Sequence, residues 1–169
     1  MPGIRITIVP TNLPKITPAV WPEHRNVVEE LFREYSSSIG VDICFQGFEQ
    51  ELANLPGKYA APQGCVLLAF VDGKLAGCGA LRPLDAATCE MKRLYVRSEF
   101  RGHHLGRALV ESLVDVAKVV GYEKMRLDTL QTMQAAQTLY KSLGFQTIDP
   151  YYDNPLDAVV YLELKLAGN

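Results

Sequence analysis

The sequence predicts an α+β (mixed α/β) fold organised around one sheet. Two observations support this fold class: segments typical of hairpin strands cluster in the first half of the chain, and strands alternate with helices in the second half. The chain has 169 residues, of which 48% are hydrophobic, and this suffices for a sizeable core without disulfides or metals. We therefore expect a single domain over residues 1–169.

The first part of the chain is predicted to contain one strand and two helices. Residues 4–8 alternate between isoleucine and polar side chains, which is typical of a strand. The four prolines of residues 10–22 predict an irregular connection. Apolar residues recur at helical spacing over residues 23–38, and a shorter helix is expected over residues 47–55.

A change of hydrophobic period marks the next three strands. Residues 65–71 form an apolar run that ends at Asp72-Gly73, a two-residue signal for a hairpin turn. The return strand is predicted over residues 74–81, and a third strand over residues 89–96. This part is therefore expected to be an antiparallel meander.

Helices and strands alternate in the second half. A stripe of apolar residues predicts a helix over residues 105–120, which Gly121 ends. A strand over residues 125–129 and a helix over residues 132–143 follow, and a final strand is predicted over residues 158–166.

Charge and cysteine content argue against several classes of function. A formal net charge of −2 gives no basis for the phosphate-neutralising surface of a nucleic-acid-binding protein. No stretch approaches the roughly 20 apolar residues that span a bilayer, so we expect a cytoplasmic protein without membrane contact. The four cysteines are scattered along the chain and are not spaced like metal ligands, so we expect neither a metal site nor a disulfide framework. They are Cys44, Cys65, Cys78 and Cys89.

A loop rich in glycine and basic residues separates the third strand from the helix at residue 105. Helix N-termini offer unpaired backbone N–H groups and the positive end of the helix dipole, which together hold a phosphate or pyrophosphate. The P-loop and G-x-G-x-x-G patterns are both absent, and an ordinary strand-to-helix loop remains an alternative from these residues alone. The candidate anion-binding residues are Arg101, Gly102, His103, His104, Leu105, Gly106 and Arg107.

Two segments resemble the hallmark motifs of the GNAT superfamily of N-acetyltransferases. Residues 91–109 resemble the central motif of that family, and residues 139–145, with the sequence Leu-Tyr-Lys-Ser-Leu-Gly-Phe, resemble its second. Both occur in the order of the family, and the resemblance covers residues 67–166. It implies a GNAT-like fold, with a central, mostly antiparallel twisted sheet of about six to seven strands flanked by about four helices.

The resemblance implies acetyl-CoA, or coenzyme A, as the cosubstrate. In such enzymes the pyrophosphate lies on a loop with the pattern Arg/Gln-x-x-Gly-x-Gly/Ala. Arg101 and Gly106 match the first and last positions, whereas His104 stands where the first glycine is expected. Met133 replaces an asparagine common in the family and is expected to contact the pantetheine arm. The implied cofactor contacts are Leu94, Tyr95, Val96, Arg101, Gly102, His103, His104, Leu105, Gly106, Arg107, Met133 and Ala136.

The resemblance also implies an N-acetyltransferase in which a primary amine attacks the thioester of acetyl-CoA directly. The backbone N–H of Val96 would polarise the thioester carbonyl. Tyr140 matches the general acid of the family, because a phenol stays protonated at neutral pH and can protonate a departing thiolate. Glu90 matches a position from which some members deprotonate the amine, and period-two alternation places it on the strand face of Val96. Asp128 is the alternative base.

The resemblance leaves the acceptor open: a small-molecule or peptide amine. We expect it to bind between the N-terminal helices and residues 151–155, where Phe32, Tyr35 and Phe45 are either cleft walls or core residues. The alternative function is a non-catalytic acyl-CoA-binding module or sensor of the same fold. The chain would act as a monomer or as a homodimer formed through an edge strand.

Overall fold

The computed structural model describes residues 13–43 and 47–167. They form a seven-stranded sheet with four α-helices, which confirms the predicted α+β fold. The strands are β1 Lys15–Pro18, β2 Cys65–Val71, β3 Lys74–Pro83, β4 Thr88–Val96, β5 Lys124–Leu130, β6 Gln146–Ile148 and β7 Val159–Lys165. The helices are α1 Arg25–Ser38, α2 Phe48–Ala53, α3 Leu105–Val120 and α4 Gln134–Ser142. The strand predicted at residues 4–8, as well as Cys44 and Phe45, lie outside the described residues.

The sheet carries helices on both faces. Its strand order is β1-β2-β3-β4-β5-β7-β6, and every neighbouring pair is antiparallel except β4 with β5. Successive side chains of a strand point to opposite faces. On β2, Leu67 and Ala69 accordingly pack in the core beneath α3, whereas Val66 and Leu68 pack in the core beneath α1 and α2. No helix in this described part is long and apolar enough to cross a bilayer.

The residues that mark the ends of the predicted elements adopt left-handed backbone conformations, for which residues of these types are typical. Asp72 and Gly73 have φ values of 50° and 75°, and a type I′ hairpin turn needs positive φ at both central positions. Gly121 has φ 101° and ends α3 in the left-handed conformation. The turn between β2 and β3 and the end of α3 are therefore where the sequence predicts them.

Both edges of the sheet differ from the prediction. β1 lies within residues 10–22, which were expected to be irregular, and its Thr17 is opposite Leu68 of β2. β6 spans three residues that no sequence pattern marked, and it pairs with β7. Strands of three or four residues are too short to show a period, so pairing with a neighbour alone defines them.

A gap opens in the middle of the sheet between β4 and β5. The two strands pair over only three positions, from Thr88 with Lys124 to Glu90 with Arg126. Both strands then continue for several residues, but no further pairing joins them among the described residues. β5 pairs instead with β7 along its whole length. The strands therefore diverge, and the C-terminal half of β4 borders open space.

A β-bulge interrupts β4 beside this gap. Cys78 is paired with Tyr95 and Ala80 with Lys92, so β4 contains one residue more than β3 over this stretch. Arg93, within the bulge, has φ 59°, a left-handed conformation that is unusual for a side chain of this size. A bulge redirects the side chains that follow it.

The bulge corrects the assignment of side chains to the faces of β4. Cys89 and Met91 pack in the core beneath α3, and after the bulge Leu94 and Val96 pack in the same core. The side chain of Glu90 therefore points to the α1 face, opposite to Val96. The prediction that Glu90 and Val96 share one face by simple alternation was wrong, because one extra residue shifts the period between them.

Candidate active site

A cavity of about 550 Å³ lies between the end of β4, the start of α3 and α4. All the predicted cofactor contacts lie in its wall except His103 and Met133, and Met133 borders a second, deeper cavity. The sequence analysis did not name several of the wall residues. Four of them lie on the same face of α4 as Ala136, so helix geometry could have added them to the prediction. The additional wall residues are Phe100, Ala135, Thr138, Leu139 and Ser142.

The N-terminus of α3 opens onto this cavity. His104 is the N-cap residue, and its side chain makes no capping hydrogen bond to the first turn of the helix. Its φ of 56° is left-handed, which explains why the family pattern has glycine at this position. The side chain of His104 is exposed, so the backbone N–H groups of the first turn are the groups presented to an anion.

Gly106 keeps part of the cavity open. A Cβ atom built on this residue would meet only Leu139 Cδ2, at 3.7 Å, which is an ordinary contact. The protein therefore leaves room for a side chain here, and that room is part of the cavity. A larger side chain would occupy space in which a ligand can approach the backbone of the helix.

Two exposed arginines flank the same helix end. Arg101 Nε donates to the Val96 carbonyl at 3.2 Å. Arg107 pairs with Glu111 at 3.0 Å and donates from Nη1 to Ser142 Oγ of α4 at 3.2 Å. Guanidinium groups bind phosphate oxygens with charge-assisted hydrogen bonds, so both ends of the cavity mouth suit a phosphorylated ligand.

A second cavity of about 50 Å³ lies deeper, in the gap between β4 and β5. Leu94 is a wall residue of both cavities, so only this side chain needs to separate them at that point. Tyr140 of α4 and Asp128 of β5 both lie in the wall of the deeper cavity. A ligand bound in this cavity would therefore lie beside both groups.

Tyr140 is 6% exposed, and its ring packs against Phe145 with the centroids 5.8 Å apart. Burial raises the pKa of the Tyr140 hydroxyl, and the nearby Tyr35 and Asp128 raise it further. The hydroxyl is therefore protonated throughout the neutral range. It can serve as a proton donor but not as a base.

The backbone of β4 presents a hydrogen-bond donor to the gap. The N–H of Arg97 donates to the Ala76 carbonyl at 2.8 Å, which makes these two residues a hydrogen-bonded pair. Such pairs alternate with non-bonded pairs in an antiparallel ladder, so the next pair, Gly77 and Val96, is non-bonded. The N–H of Val96 therefore points away from β3 and towards the gap.

Glu90 is 1% exposed, and both of its carboxylate oxygens accept hydrogen bonds. Oε1 accepts from the guanidinium of Arg82 at 2.9 Å, and Oε2 accepts from the hydroxyl of Tyr151 at 2.6 Å. Lys92 Nζ lies 4.0 Å from the same Oε1. Both oxygens of this carboxylate are thus occupied by donors from the protein itself.

Asp128 is held by a neutral hydrogen-bond chain. The hydroxyl of Tyr152 donates to Asp128 Oδ2 at 2.6 Å, and Asn154 Nδ2 donates to that hydroxyl at 2.8 Å. Asn154 Oδ1 accepts from the N–H of Leu156 at 2.9 Å, which fixes the orientation of the amide. Asp128 is half-buried and borders the deeper cavity, so it is oriented without a cationic partner at these contacts.

α1 and the segment between β6 and β7, which were expected to form the acceptor side, contribute residues to cavities beside the gap. Tyr35 borders the deeper cavity, whereas Phe32 is fully buried in the core beneath α1. A third cavity of about 290 Å³ lies beyond Lys92, and its wall includes Tyr151 and Tyr152. The sequence marked residues 151–155 as an acceptor-side element, but not their hydrogen bonds to Glu90 and Asp128.

The described cysteines are unsuited to nucleophilic catalysis. Cys65, Cys78 and Cys89 are free thiols, and burial raises the pKa of each, that of Cys65 to about 11. They are therefore protonated at neutral pH. Groups of three or more histidine, cysteine or acidic side chains arranged for a metal ion do not occur within the described residues.

The gap between β4 and β5 borders one cavity and the start of α3 borders the other. This arrangement is the one expected for the class of acyl-CoA-dependent N-acyltransferases that residues 91–109 and 139–145 resemble. A model of the Acetyltransferase (GNAT) family matches residues 23–145. The chain belongs to this family, and the resemblance carried by residues 91–109 and 139–145 is confirmed.

The chain is similar to an N-acetyltransferase in sequence and to acetyltransferase structures in fold. An uncharacterised N-acetyltransferase of Schizosaccharomyces pombe is 42% identical over 160 residues, which cover 94% of this chain and 98% of the relative. A GNAT-family acetyltransferase of Staphylococcus aureus shares the fold with a TM-score of 0.76 at 20% identity, over 92% of this chain and 100% of that one. An acetyltransferase of Salmonella typhimurium, solved with its cofactor acetyl-CoA, has a TM-score of 0.70 at 19% identity, over 93% and 96% of the two chains.

Proposed function

We propose that this protein transfers an acetyl group from acetyl-CoA to a primary amine by direct attack of the amine on the thioester. The observation that supports this most strongly is that the two cavities share a wall residue. One begins at the N-terminus of α3, the other contains Tyr140 and Asp128, and Leu94 borders both. The acetyl-CoA complex of the Salmonella relative supports the choice of cosubstrate.

The residues around the larger cavity suit the successive parts of acetyl-CoA. The N–H groups at the start of α3, with Arg101 and Arg107, bind the pyrophosphate. The pantetheine arm lies in the gap along β4, where the apolar side chains of Leu94 and Met133 contact it. The thioester carbonyl accepts a hydrogen bond from the N–H of Val96, which stabilises the oxyanion that forms in the transition state.

Acyl transfer then needs two proton movements. The lone pair of the amine forms the new bond to the carbonyl carbon, and the bond from that carbon to sulfur breaks. Tyr140 donates its proton to the departing sulfur, because a thiol with a pKa of about 8.5 leaves more readily once protonated. Asp128 accepts the proton that the amine loses, directly or through a water molecule.

We assign the role of base to Asp128 and a structural role to Glu90. Glu90 is engaged by Arg82 and Tyr151 and points to the α1 face of β4. Asp128 lines the same deeper cavity as Tyr140, and its hydrogen bond comes from a neutral hydroxyl. An acid and a base in the wall of one small cavity can both act on a single transfer.

Acetyl-CoA is expected to stabilise the protein and to be consumed when an amine is added. At a ligand concentration of about 100 times Kd the native state gains roughly 2.7 kcal/mol, which for a chain of this length raises Tm by about 5 to 10 °C. ATP and NAD serve as controls and should give no shift. Absence of any shift with acetyl-CoA would overturn the proposal, and a shift without thiol release in the presence of any amine would identify a sensor instead.

Isosteric amides are expected to separate the roles of Asp128 and Glu90. Asp128→Asn should lower kcat/KM by about 100-fold at pH 7, because the amine loses its proton acceptor. Glu90→Gln should mainly lower stability, by about 3 kcal/mol, because it leaves the guanidinium of Arg82 without its carboxylate. Steady-state thiol release and thermal unfolding of both variants distinguish these effects. A larger loss of kcat in Glu90→Gln than in Asp128→Asn would return the role of base to Glu90.

A further inference from the structure

Two consecutive tyrosines in the segment between β6 and β7, residues 149–158, contact the strands on either side of the gap. The hydroxyl of Tyr151 donates to Glu90 of β4 at 2.6 Å. The hydroxyl of Tyr152 donates to Asp128 of β5, also at 2.6 Å. In the described part of the chain the pairing of β4 with β5 ends at Glu90. The segment therefore links two strands at the level where their own pairing has stopped.

The rings of these two tyrosines pack against a third. Tyr161 of β7 contacts Tyr151 with the ring centroids 5.4 Å apart and Tyr152 with the centroids 5.7 Å apart. The centroids of Tyr151 and Tyr152 are themselves 5.4 Å apart. All three contacts are edge-to-face, which is a geometry that aromatic pairs favour. The guanidinium of Arg126 also lies over the Tyr151 ring, 5.4 Å from its centroid. The Tyr152 hydroxyl is therefore carried on a ring that its neighbours hold in place.

The hydrogen bonds that reach Asp128 have a defined direction. Burial raises the pKa of the Tyr152 hydroxyl, and the hydrogen bond to Asp128 and the charge of that carboxylate raise it further. Tyr152 is therefore protonated in the neutral range. It gives its single proton to Asp128 Oδ2, and its oxygen accepts from Asn154 Nδ2 at 2.8 Å. The N–H of Leu156 fixes the Asn154 amide by donating to its Oδ1 atom at 2.9 Å. The orientation of Asp128 thus depends on a segment outside its own strand.

We propose that Tyr152 and Asn154 are positioning residues that hold the carboxylate of Asp128 in the orientation in which it accepts the proton of the attacking amine. This inference rests on the proposed acetyl transfer and deepens it, because it concerns how the base of that same site is held. An aspartate side chain rotates about two bonds. A base must lie within hydrogen-bond distance of the proton that it removes, so restricting these rotations raises the rate.

A double-mutant cycle between Tyr152→Phe and Asp128→Asn tests this role. Tyr152→Phe keeps the ring and removes the hydroxyl donor, so kcat should fall by about 10-fold. The KM for acetyl-CoA and the shift in Tm with acetyl-CoA should not change. In the Asp128→Asn protein the same substitution should lower kcat by less than about twofold, because no base remains to be positioned. The rate is that of thiol release from acetyl-CoA, measured with the best acceptor from a panel of amino acids, polyamines and lysine peptides.

Tyr59→Phe is the matched control. The hydroxyl of Tyr59 also donates to a carboxylate, Glu51 Oε1 at 2.8 Å, and its ring is buried in the core beneath α1 and α2. Its loss should lower Tm and leave kcat unchanged, because Glu51 is not the base. A fall in kcat as large as that of Tyr152→Phe would mean that loosening of the fold explains both results, and it would overturn the positioning role.

Asn154→Asp tests the next hydrogen bond of the chain. The new side chain keeps its size and an oxygen that accepts from the N–H of Leu156, but it no longer donates to Tyr152. The introduced carboxylate competes with Asp128 for the single proton of the Tyr152 hydroxyl, so kcat should fall by about 10-fold. This loss should also disappear in the Asp128→Asn background. If Tyr152→Phe fails to fold, Asn154→Asp decides alone.

The outcomes separate this inference from the proposed acetyl transfer. Equal losses of kcat with and without Asp128→Asn would show that Tyr152 does not act through Asp128, and the transferase would stand. Unchanged kcat in both Tyr152→Phe and Asn154→Asp would likewise overturn the positioning role alone. Absence of any shift in Tm with acetyl-CoA, or of thiol release with every amine of the panel, in the unaltered protein would overturn the transferase and this inference with it.

Discussion

Tyr140→Phe is expected to lower kcat by about 10² to 10⁴-fold while acetyl-CoA still stabilises the protein. The substitution removes the hydroxyl proton and keeps the ring, which packs against Phe145 in the core beneath α3. The departing thiolate must then leave without protonation. Steady-state thiol release measures kcat, and the shift in Tm with acetyl-CoA reports binding.

Tyr122→Phe is the matched control for this prediction. Tyr122 is also buried in the core beneath α3, and its hydroxyl donates to the Gln63 carbonyl at 2.7 Å, away from both cavities. Its loss should cost about 1 kcal/mol of stability and leave kcat unchanged. Equal kcat values for Tyr140→Phe and the unaltered protein would show that Tyr140 only packs. A loss of acetyl-CoA binding in Tyr140→Phe would likewise rule out the role of general acid as stated.

Gly106→Val is expected to abolish most acetyl-CoA binding without unfolding the protein. A Cβ atom at this position makes only an ordinary contact with Leu139, so the two methyl groups of valine extend into the cavity where the pyrophosphate would lie. If the affinity falls 100-fold, the stabilisation at a fixed ligand concentration falls from about 2.7 to about 0.4 kcal/mol. Thermal unfolding with and without acetyl-CoA measures both quantities in one experiment.

Gly106→Ala distinguishes obstruction of the ligand from damage to the helix. The family pattern allows alanine at this position, so this variant should retain the shift in Tm with acetyl-CoA. Alanine and valine both favour a helix more than glycine does, so neither variant should lower Tm without ligand. A Tm that falls in both variants before ligand is added would mean that Gly106 serves the fold and not the cofactor.

Most of the fold could be predicted because its signals are local. The Asp72-Gly73 turn, the apolar stripe of α3 and its end at Gly121 each depend on residues adjacent in the chain. β1 and β6 could not be predicted, since each is defined only by pairing with a neighbouring strand. A strand of three residues carries too little periodic information to stand out from a loop.

The candidate site likewise has a part that local sequence patterns could predict and a part that they could not. The residues around α3 were found because the motif that contains them is continuous in sequence. The opposite orientations of Glu90 and Val96 follow from the bulge at Arg93, and nothing in the alternation of β4 reveals one extra residue. The contacts of Tyr151 with Glu90 and of Tyr152 with Asp128 join residues far apart in the chain, so local patterns do not contain them.

The divergence of β4 from β5 also bears on self-association. An unpaired strand border usually lies at the periphery of a sheet, where its free main-chain groups invite pairing with other molecules and lead to aggregation. Here such a border lies inside the sheet, with β1 to β4 on one side and β5, β7 and β6 on the other. A slender extended ligand in this slot would meet main-chain groups between two parts of the same sheet, whereas at the periphery such groups face other molecules directly. The protein thus keeps main-chain donors for recognition within its own sheet.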